Sequence, residues 1–191
     1  MPLLQHKRST ISSFLLATAL AAAAASAVAL LSGCAAPKAT DYAQETPVLD
    51  LSRYFNGRLQ AHGMFQDRFG KVVKRFTVAV DGKWTGNQGV LDEQFSYSDG
   101  STDSRVWHLT QHPDGRVTGT AADVVGEAVG QMAGNTFHWQ YTLRQPIGDS
   151  VYEVQMDDWM VMVDERVVLN RTRMSKLGIH LGDVTLSFNK P

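Results

Sequence analysis

The stretch Thr136–Arg144, TFHWQYTLR, alternates large apolar side chains with polar ones. Phe137, Trp139, Tyr141 and Leu143 occupy every second position, and polar residues stand between them. Successive side chains of a β-strand point to opposite faces, so a period of two carried by aromatic residues is typical of a strand with one buried face. The stretch therefore predicts a strand whose aromatic side packs against a core.

The same alternation recurs along the chain from Gly57 onward. Val90–Tyr97 repeats it clearly, and seven further segments repeat it less regularly: 75–80, 104–111, 116–121, 124–132, 150–156, 166–172 and 184–188. Turn sequences separate the segments, among them Asp81-Gly82, Asp99-Gly100 and His112-Pro-Asp-Gly115. Their glycines supply the positive φ angles that tight hairpins need. The pattern predicts consecutive hairpins in an up-and-down antiparallel sheet.

A sheet of about eight to ten strands would leave open edges and an exposed apolar face unless it closed on itself. We therefore predict an all-β fold, an antiparallel up-and-down, lipocalin-like β-barrel of about 8–10 strands. A two-sheet β-sandwich is the alternative, because alternation does not distinguish the two. Gly119, Gly126 and Gly130 favour the barrel, since glycines inside strands mark the bulges or bends at which a barrel turns.

The N-terminal residues have the organisation of a secretory signal. Lys7 and Arg8 precede a run of apolar and small residues that extends to Leu31. The run is also long enough for a transmembrane helix. However, the tetrapeptide Leu31-Ser32-Gly33-Cys34 resembles the lipobox of bacterial lipoproteins. The resemblance implies cleavage between Gly33 and Cys34 and acylation of the Cys34 thiol, which would hold the protein at a membrane. An unmodified thiol is the alternative.

These features predict the organisation of the chain and its location. We expect a signal peptide over 1–33, the lipidated Cys34 with a flexible tether over 34–47, and a single β-barrel domain over 48–191. A helical turn or plug is expected where the domain begins, at Val48–Phe55. Ala35 follows the cysteine. By resemblance to Gram-negative lipoproteins, a residue other than Asp at that position implies sorting to the outer membrane and not retention at the inner one. We therefore expect a lipid-anchored protein of the cell envelope.

The charge balance does not favour a nucleic-acid-binding protein, and the cysteine content excludes a protein stabilised by internal disulfides. Residues 1–33 contain two of the 18 basic residues and none of the 19 acidic ones, so the remaining 158 residues carry a slight negative charge. Nothing in that balance suggests a nucleic acid partner. Cys34 is the single cysteine, so the chain forms no internal disulfide.

A set of motifs in the predicted barrel region resembles a known bacterial family. The motifs are GMFQDRFGKVVKRFTV at 63–78, the pattern GxWxGNxGxLxExFxYxDG at 82–100, Arg105-Val-Trp107, Trp139-Gln-Tyr141-Thr-Leu143 and Asp157-Asp-Trp-Met160. They are similar to those of the lipoprotein family called domain of unknown function 3833. The resemblance covers nearly the whole domain and implies no established activity or site. Members are often encoded near enzymes that modify fatty acyl chains, which implies a connection with lipids.

No catalytic or metal-binding set stands out in the sequence. Asp157 and Asp158 are adjacent, so on a strand they point to opposite faces and do not form an acid–base pair. His108 and His112 would lie about 13 Å apart on a strand, at ~3.3 Å per residue, which is too far to share a metal. A nucleophile elbow and a phosphate-binding loop are both missing. We expect no cofactor, no metal and no enzymatic activity, although an enzyme that acts on acyl chains stays as a weaker alternative.

The aromatic residues suggest a ligand pocket inside the barrel. A filled core is the simpler interpretation, and a partly open barrel that holds a lipid chain is the functional one. The candidate pocket residues are those that lie on strand-like segments and combine apolar surface with a few charges: Phe95, Trp107, Glu127, Trp139, Tyr141 and Arg171. The sequence therefore predicts an envelope protein that binds a fatty acyl chain or phospholipid. A scaffold that binds an unidentified protein partner is the alternative.

Overall fold

Short hairpins connect every strand of this protein to the next one, and the last strand returns to the first. The computed structural model describes residues 36–191. It contains one α-helix, α1 (Leu51–Tyr54), preceded by a 3-10 helix at Ala39–Tyr42. Ten strands follow: β1 (Gly57–Asp67), β2 (Val72–Thr85), β3 (Gln88–Tyr97), β4 (Thr102–Gln111), β5 (Arg116–Thr120), β6 (Val124–Ala133), β7 (Thr136–Ile147), β8 (Ser150–Asp164), β9 (Val167–Lys176) and β10 (Ile179–Asn189).

The ten strands form one closed antiparallel barrel. Each strand pairs with its neighbours in sequence, and β1 pairs with β10 from Gln60 opposite Asn189 to Asp67 opposite Gly182. Closure satisfies the backbone donors and acceptors of both end strands, which an open sheet would leave exposed. The predicted up-and-down barrel is confirmed, and the two-sheet sandwich is excluded.

The two ends of the barrel differ. Asp50 caps α1 by accepting a hydrogen bond from the backbone of Ser52, and the helix lies across one end. Tyr54 Oη lies 3.0 Å from two backbone oxygens, those of Arg166 and Phe188. The ring of Phe55 packs edge-on against Phe188, at 5.2 Å between centroids. We call this the closed end. The prediction of a plug at the start of the domain is confirmed.

A flexible tether is predicted over 34–47, but from Lys38 onward the structure has a packed segment that contacts the barrel. Asp41 accepts a hydrogen bond from the backbone of Lys38, and the ring of Tyr42 packs edge-on against Trp159. The Tyr42 carbonyl lies so close to Gly134 that a Cβ there would stand 1.8 Å from its oxygen. The polar composition of this segment does not reveal this packing, because backbone contacts and one tyrosine anchor it. Lys38–Pro191 forms one compact unit with its own closed sheet and core.

The glycines of β5 and β6 have the two roles that strand glycines take. Gly126 has φ +68 at a β-bulge between β6 and β7, as predicted. Gly119 and Gly130 instead make room for aromatic rings. A Cβ on Gly130 would lie 2.3 Å from Cβ of Trp139, and one on Gly119 would meet Leu109. These two glycines therefore allow the indoles to pack against the barrel wall.

The predicted signal peptide, the cleavage site at Gly33 and the lipidation site at Cys34 lie outside the described residues. Within residues 36–191, no helix has the length and hydropathy that a membrane-spanning helix requires.

Candidate functional site

The barrel encloses a cavity of about 360 Å3. Its floor is Phe188, which packs on the plug residue Phe55, and its mouth lies at the opposite end, where Lys74, Gln145 and Ile147 line it. Most of its wall is apolar, and the larger contributors are aromatic or sulfur-containing: Phe65, Phe76, Phe95, Tyr97, Trp107, Trp139, Tyr141, Met156, Met160 and Met174. The volume is at the small end of the range for small-molecule sites.

Strand alternation positions the aromatic wall. Trp107 on β4 packs against Trp139 on β7 with ring centroids 4.6 Å apart, and meets Tyr141 edge-on at 5.3 Å. The short strand β5 and strand β6 lie between them in the sheet, and their glycines Gly119 and Gly130 let the rings approach. The result is a continuous aromatic surface on one side of the cavity.

A polar cluster interrupts that apolar wall. Glu93 on β3 and Arg105 on β4 are direct cross-strand partners, and both side chains are mostly buried. Arg105 donates to Asp123 through Nε and Nη2, the shorter bond being 2.7 Å. Its Nη1 faces Glu93 Oε2 at 4.0 Å, beyond hydrogen-bond distance. One edge of the guanidinium is therefore held by Asp123, and the other is directed toward the cavity.

The environment of Glu93 favours its neutral form. Burial raises the pKa of Glu93 to about 7, although the positive charge of Arg105 acts in the opposite direction. Burial alone would lower the pKa of Arg105, but the hydrogen bonds to Asp123 and the charge of Glu93 raise it above its usual value, so the guanidinium stays charged. Near neutral pH the pair therefore presents a cation beside a carboxyl group that is close to its titration point.

Asp158 on β8 is a second buried carboxyl group in the cavity. Asn170 donates a hydrogen bond to it through Nδ2. Burial raises the pKa of Asp158 to about 6, and polar neighbours such as Trp139 and Asn170 limit the increase. The buried indole Nε1 of Trp139 faces this carboxyl group but has no partner within hydrogen-bond geometry. Burial also raises the pKa of Tyr141, so its phenol stays protonated. Arg105 Nη1, the Trp139 indole N–H and the Tyr141 hydroxyl are therefore donors in the cavity wall, which suits a ligand with an oxygen-bearing head.

Four of the six predicted pocket residues line this cavity: Phe95, Trp107, Trp139 and Tyr141. The other two do not. Glu127 is exposed, because it follows Gly126 at the bulge where the pairing of β6 shifts. The Arg171 side chain is 72% exposed and binds Asp183 on the outer surface. On β9, Asn170 and Thr172 point inward between Val168 and Met174, so the middle of the inner face of this strand is polar.

The predicted set missed Arg105, Glu93 and Asp158. A signal for Arg105 exists in the sequence, because it shares the phase of Trp107 and Leu109 on β4. Glu93 shares the phase of Leu91 and Phe95 in the same way. The carboxyls Asp157 and Asp158 point to opposite faces, as predicted: Asp157 binds His138 at 2.6 Å on the outside. Within residues 36–191, no three His, Cys, Asp or Glu side chains converge as metal ligands.

Comparison with solved structures relates the barrel to a known architecture. An S-type phycobiliprotein lyase from Guillardia theta superposes with a TM-score of 0.57 at 7% sequence identity. The match covers 75% of this chain and 93% of that one. At this identity the likeness establishes the fold alone, which is a lipocalin-like barrel.

Sequence comparison agrees with the resemblance that the motifs carry. No curated protein matches the chain. A family model described as "Protein of unknown function (DUF3833)" matches residues 28–190, which include the plug, all ten strands and the cavity. The chain therefore belongs to the DUF3833 family.

Proposed function

We propose that the barrel binds a single long apolar chain that carries an oxygen-bearing head, of which a fatty acid is the simplest example. The observation that carries this proposal is the apolar cavity of about 360 Å3 with a buried cluster of Glu93, Arg105 and Asp158 in its wall. A filled core would have no such volume, and a buried charge in a purely structural core is costly. The small volume favours one acyl chain over a whole phospholipid.

The proposed orientation follows from the chemistry of the wall. The chain lies against the apolar and aromatic side chains, which stabilise it by removing its surface from water. The head meets Arg105 Nη1, the indole N–H of Trp139 and the Tyr141 hydroxyl. Glu93 accommodates a carboxylate head when it is itself protonated. The protein acts in this proposal as a binding or carrier protein, without a chemical step.

The lipocalin-like fold supports a ligand-binding role in a general sense. Lipocalin-type barrels have interiors that can hold one small ligand. The fold neighbour is named a phycobiliprotein lyase. We further propose that the protein works in the cell envelope, attached to the outer membrane through acyl chains on Cys34. The lipobox-like tetrapeptide and the basic, apolar N-terminus support this location.

The test is a calorimetric titration of the barrel, Lys38–Pro191, with palmitate and with hexadecanol. Saturable binding of palmitate is expected. Arg105→Gln should weaken it at least tenfold, because a hydrogen bond to a charged group contributes about 1.5–3 kcal/mol. Arg171→Gln is the matched control, since this arginine lies outside, and it should bind like the parent protein. Hexadecanol should be less affected by Arg105→Gln.

Two results would overturn the proposal. One is the lack of saturable binding by the folded parent protein. The other is equal affinity of the Arg105→Gln and Arg171→Gln variants for palmitate, since that would place the ligand away from the cavity cluster.

A further inference from the structure

Three hairpins at the mouth of the barrel expose large apolar side chains. The β1–β2 hairpin exposes Phe69, which is 81% accessible, together with Val72 and Val73. The β7–β8 hairpin exposes Ile147 (60%) and Val151, and the β9–β10 hairpin exposes Leu177 (88%) and Ile179. We call these seven residues the apolar half-rim. Side chains exposed to this degree contribute little to the core of their own protein.

The three hairpins are neighbours around the barrel, so their apolar residues lie on the same side of the mouth. The strand order around the barrel places β2, β1, β10, β9, β8 and β7 side by side. The two remaining turns at the mouth differ in composition, since the β3–β4 turn is Ser98-Asp-Gly-Ser101 and the β5–β6 turn is Ala121-Ala-Asp123. The mouth thus has an apolar side and a polar side. Contiguous apolar surface on one side of an opening is typical of an interaction site.

Leu177 occupies a backbone conformation that a leucine rarely adopts. Its φ is +50, in the left-handed region that glycine or asparagine usually fills at a tight turn. A residue with a branched apolar side chain is disfavoured there and, at 88% exposure, has no compensating packing. Strained backbone conformations of this kind cluster at functional sites such as ligand clamps and switch regions. The position therefore presents an apolar group outward from the tip of its hairpin.

Basic residues accompany the apolar tips. Arg68 lies over the ring of Phe69 at 4.8 Å, and Lys71 is exposed in the same turn. Lys176 precedes Leu177 and lies 4.5 Å from the ring of Tyr152. The acids nearby are Asp67, whose carboxylate accepts the backbone N–H groups of Phe69 and Lys71, Asp149, and Glu153, which lies opposite Arg144 on β7. Basic residues beside exposed aromatic and aliphatic ones match an anionic lipid surface.

We propose that the apolar half-rim docks on a bilayer that contains anionic phospholipid. Phe69, Ile147 and Leu177 enter the boundary between head groups and acyl chains, and Arg68, Lys71 and Lys176 contact the phosphates. Ile147 also lines the cavity, so the apolar wall of the cavity continues into the docked surface. An acyl chain can then pass between bilayer and barrel with little exposure to water. Docking goes beyond the proposed function, because it needs no ligand in the cavity.

The test is flotation of Lys38–Pro191 with vesicles of equal parts phosphatidylcholine and phosphatidylglycerol, and with vesicles of phosphatidylcholine alone. The parent barrel should float with the anionic vesicles and far less with the neutral ones. Combined replacement Phe69→Ser, Val151→Ser and Leu177→Asn, which leaves the cavity-lining Ile147 unchanged, should reduce bound protein at least tenfold. The matched control is Val106→Thr, Val163→Thr and Leu169→Thr, three exposed apolar residues elsewhere on the barrel, which should float like the parent.

Three outcomes would overturn the docking proposal: no flotation of the parent barrel, which would leave the half-rim to a protein partner; flotation of the half-rim variant like the parent; or equal loss in the control. Palmitate titration of the half-rim variant separates the two proposals. Normal palmitate affinity with lost flotation supports docking as a distinct function. Palmitate binding in a parent barrel that does not float contradicts docking while leaving the proposed function intact.

Discussion

At the scale of single residues, the pair Glu93 and Arg105 distinguishes this barrel from a filled one. Each is an ionisable group on an inward-facing strand position, and each lies in a mostly apolar wall. Arg105 donates hydrogen bonds to Asp123 but not to Glu93, since its Nη1 lies 4.0 Å from Glu93 Oε2. Ionisable groups with shifted pKa values in a cavity are candidates for a functional site.

The raised pKa of Glu93 predicts how stability depends on pH. Its ordinary value is 4.5 and its folded value about 7, so between these values the folded state binds more protons than the unfolded state. The contribution of Glu93 to the free energy of unfolding is therefore complete below about pH 4.5 and is lost as the pH rises through 7. The loss is about 3 kcal/mol at most. Asp158, raised to about 6, acts in the same direction.

Glu93→Gln checks this prediction, because the amide cannot ionise. Urea unfolding of the variant between pH 5 and about pH 8 should show a flatter pH dependence than the parent protein, with the variant relatively more stable at the alkaline end. Arg105 keeps its partner Asp123 in this variant. A variant whose free energy of unfolding falls as steeply as that of the parent would show that Glu93 is ionised at low pH in the folded protein.

At the scale of elements, alternation identifies strands well and their inner faces less well. The period of two predicts β3 and β7 and places Phe95, Trp107, Trp139 and Tyr141 in the cavity. It fails on β9, because the middle of the inner face carries Asn170 and Thr172 around Asp158 and resembles a solvent-exposed face. The outer face carries Val167 and Leu169 and so resembles a buried face. The sequence pattern therefore predicts, wrongly, that Arg171 points inward. It fails on β6 because the bulge at Gly126 changes the phase before Glu127.

The segment before the barrel was the other element that composition could not predict. Residues 36–47 are small, polar and proline-containing, which favours a tether. Their packing depends on contacts that no hydropathy pattern records, such as the edge-on contact of the Tyr42 ring with Trp159, at 6.1 Å between ring centroids. Gly134 also leaves the space that the Tyr42 carbonyl fills. The close approach of the Tyr42 backbone therefore depends on a glycine about 90 residues later in the chain, which the composition of residues 36–47 cannot reveal.

Gly134→Ala should displace this segment. Its Cβ would lie 1.8 Å from the Tyr42 oxygen, so the segment or the hairpin must shift, and we expect a loss of about 2–4 kcal/mol in the free energy of unfolding. Hydrogen exchange at 38–47 should become faster. Gly148→Ala is the matched control, because Gly148 has a similar positive φ (+59 against +54) but no atom within 4 Å of the place that an added Cβ would take. Equal effects of the two changes on stability and exchange would contradict the packed segment.

At the scale of the whole molecule, the packed segment shortens the link to the proposed anchor. Only residues 35–37 separate Cys34 from Lys38, a span of roughly 14 Å at full extension. The segment packs on the β6–β7 hairpin, which belongs to the closed end. The segment therefore joins the barrel at the end opposite its mouth.

Cys34→Ala tests the anchor in cells. Without the thiol no acyl group can be attached, so we expect the protein either in the soluble envelope fraction or retained with its signal uncut. Fractionation and immunoblotting of the parent and the variant, with size as the measure of processing, distinguish these outcomes. A Cys34→Ala protein that is processed and still fractionates with the membrane like the parent would show that Cys34 is not the attachment.

The central claim is that the cavity holds an amphipathic ligand at the Glu93 and Arg105 cluster. Native mass spectrometry of Lys38–Pro191 purified from cells, before and after addition of palmitate, tests it most directly. We predict an adduct of one acyl-chain ligand per barrel in the parent protein and in Arg171→Gln, and a strongly reduced adduct in Arg105→Gln. A parent barrel that is free of ligand and gains no adduct with palmitate, or an Arg105→Gln barrel that retains it in full, would contradict the claim.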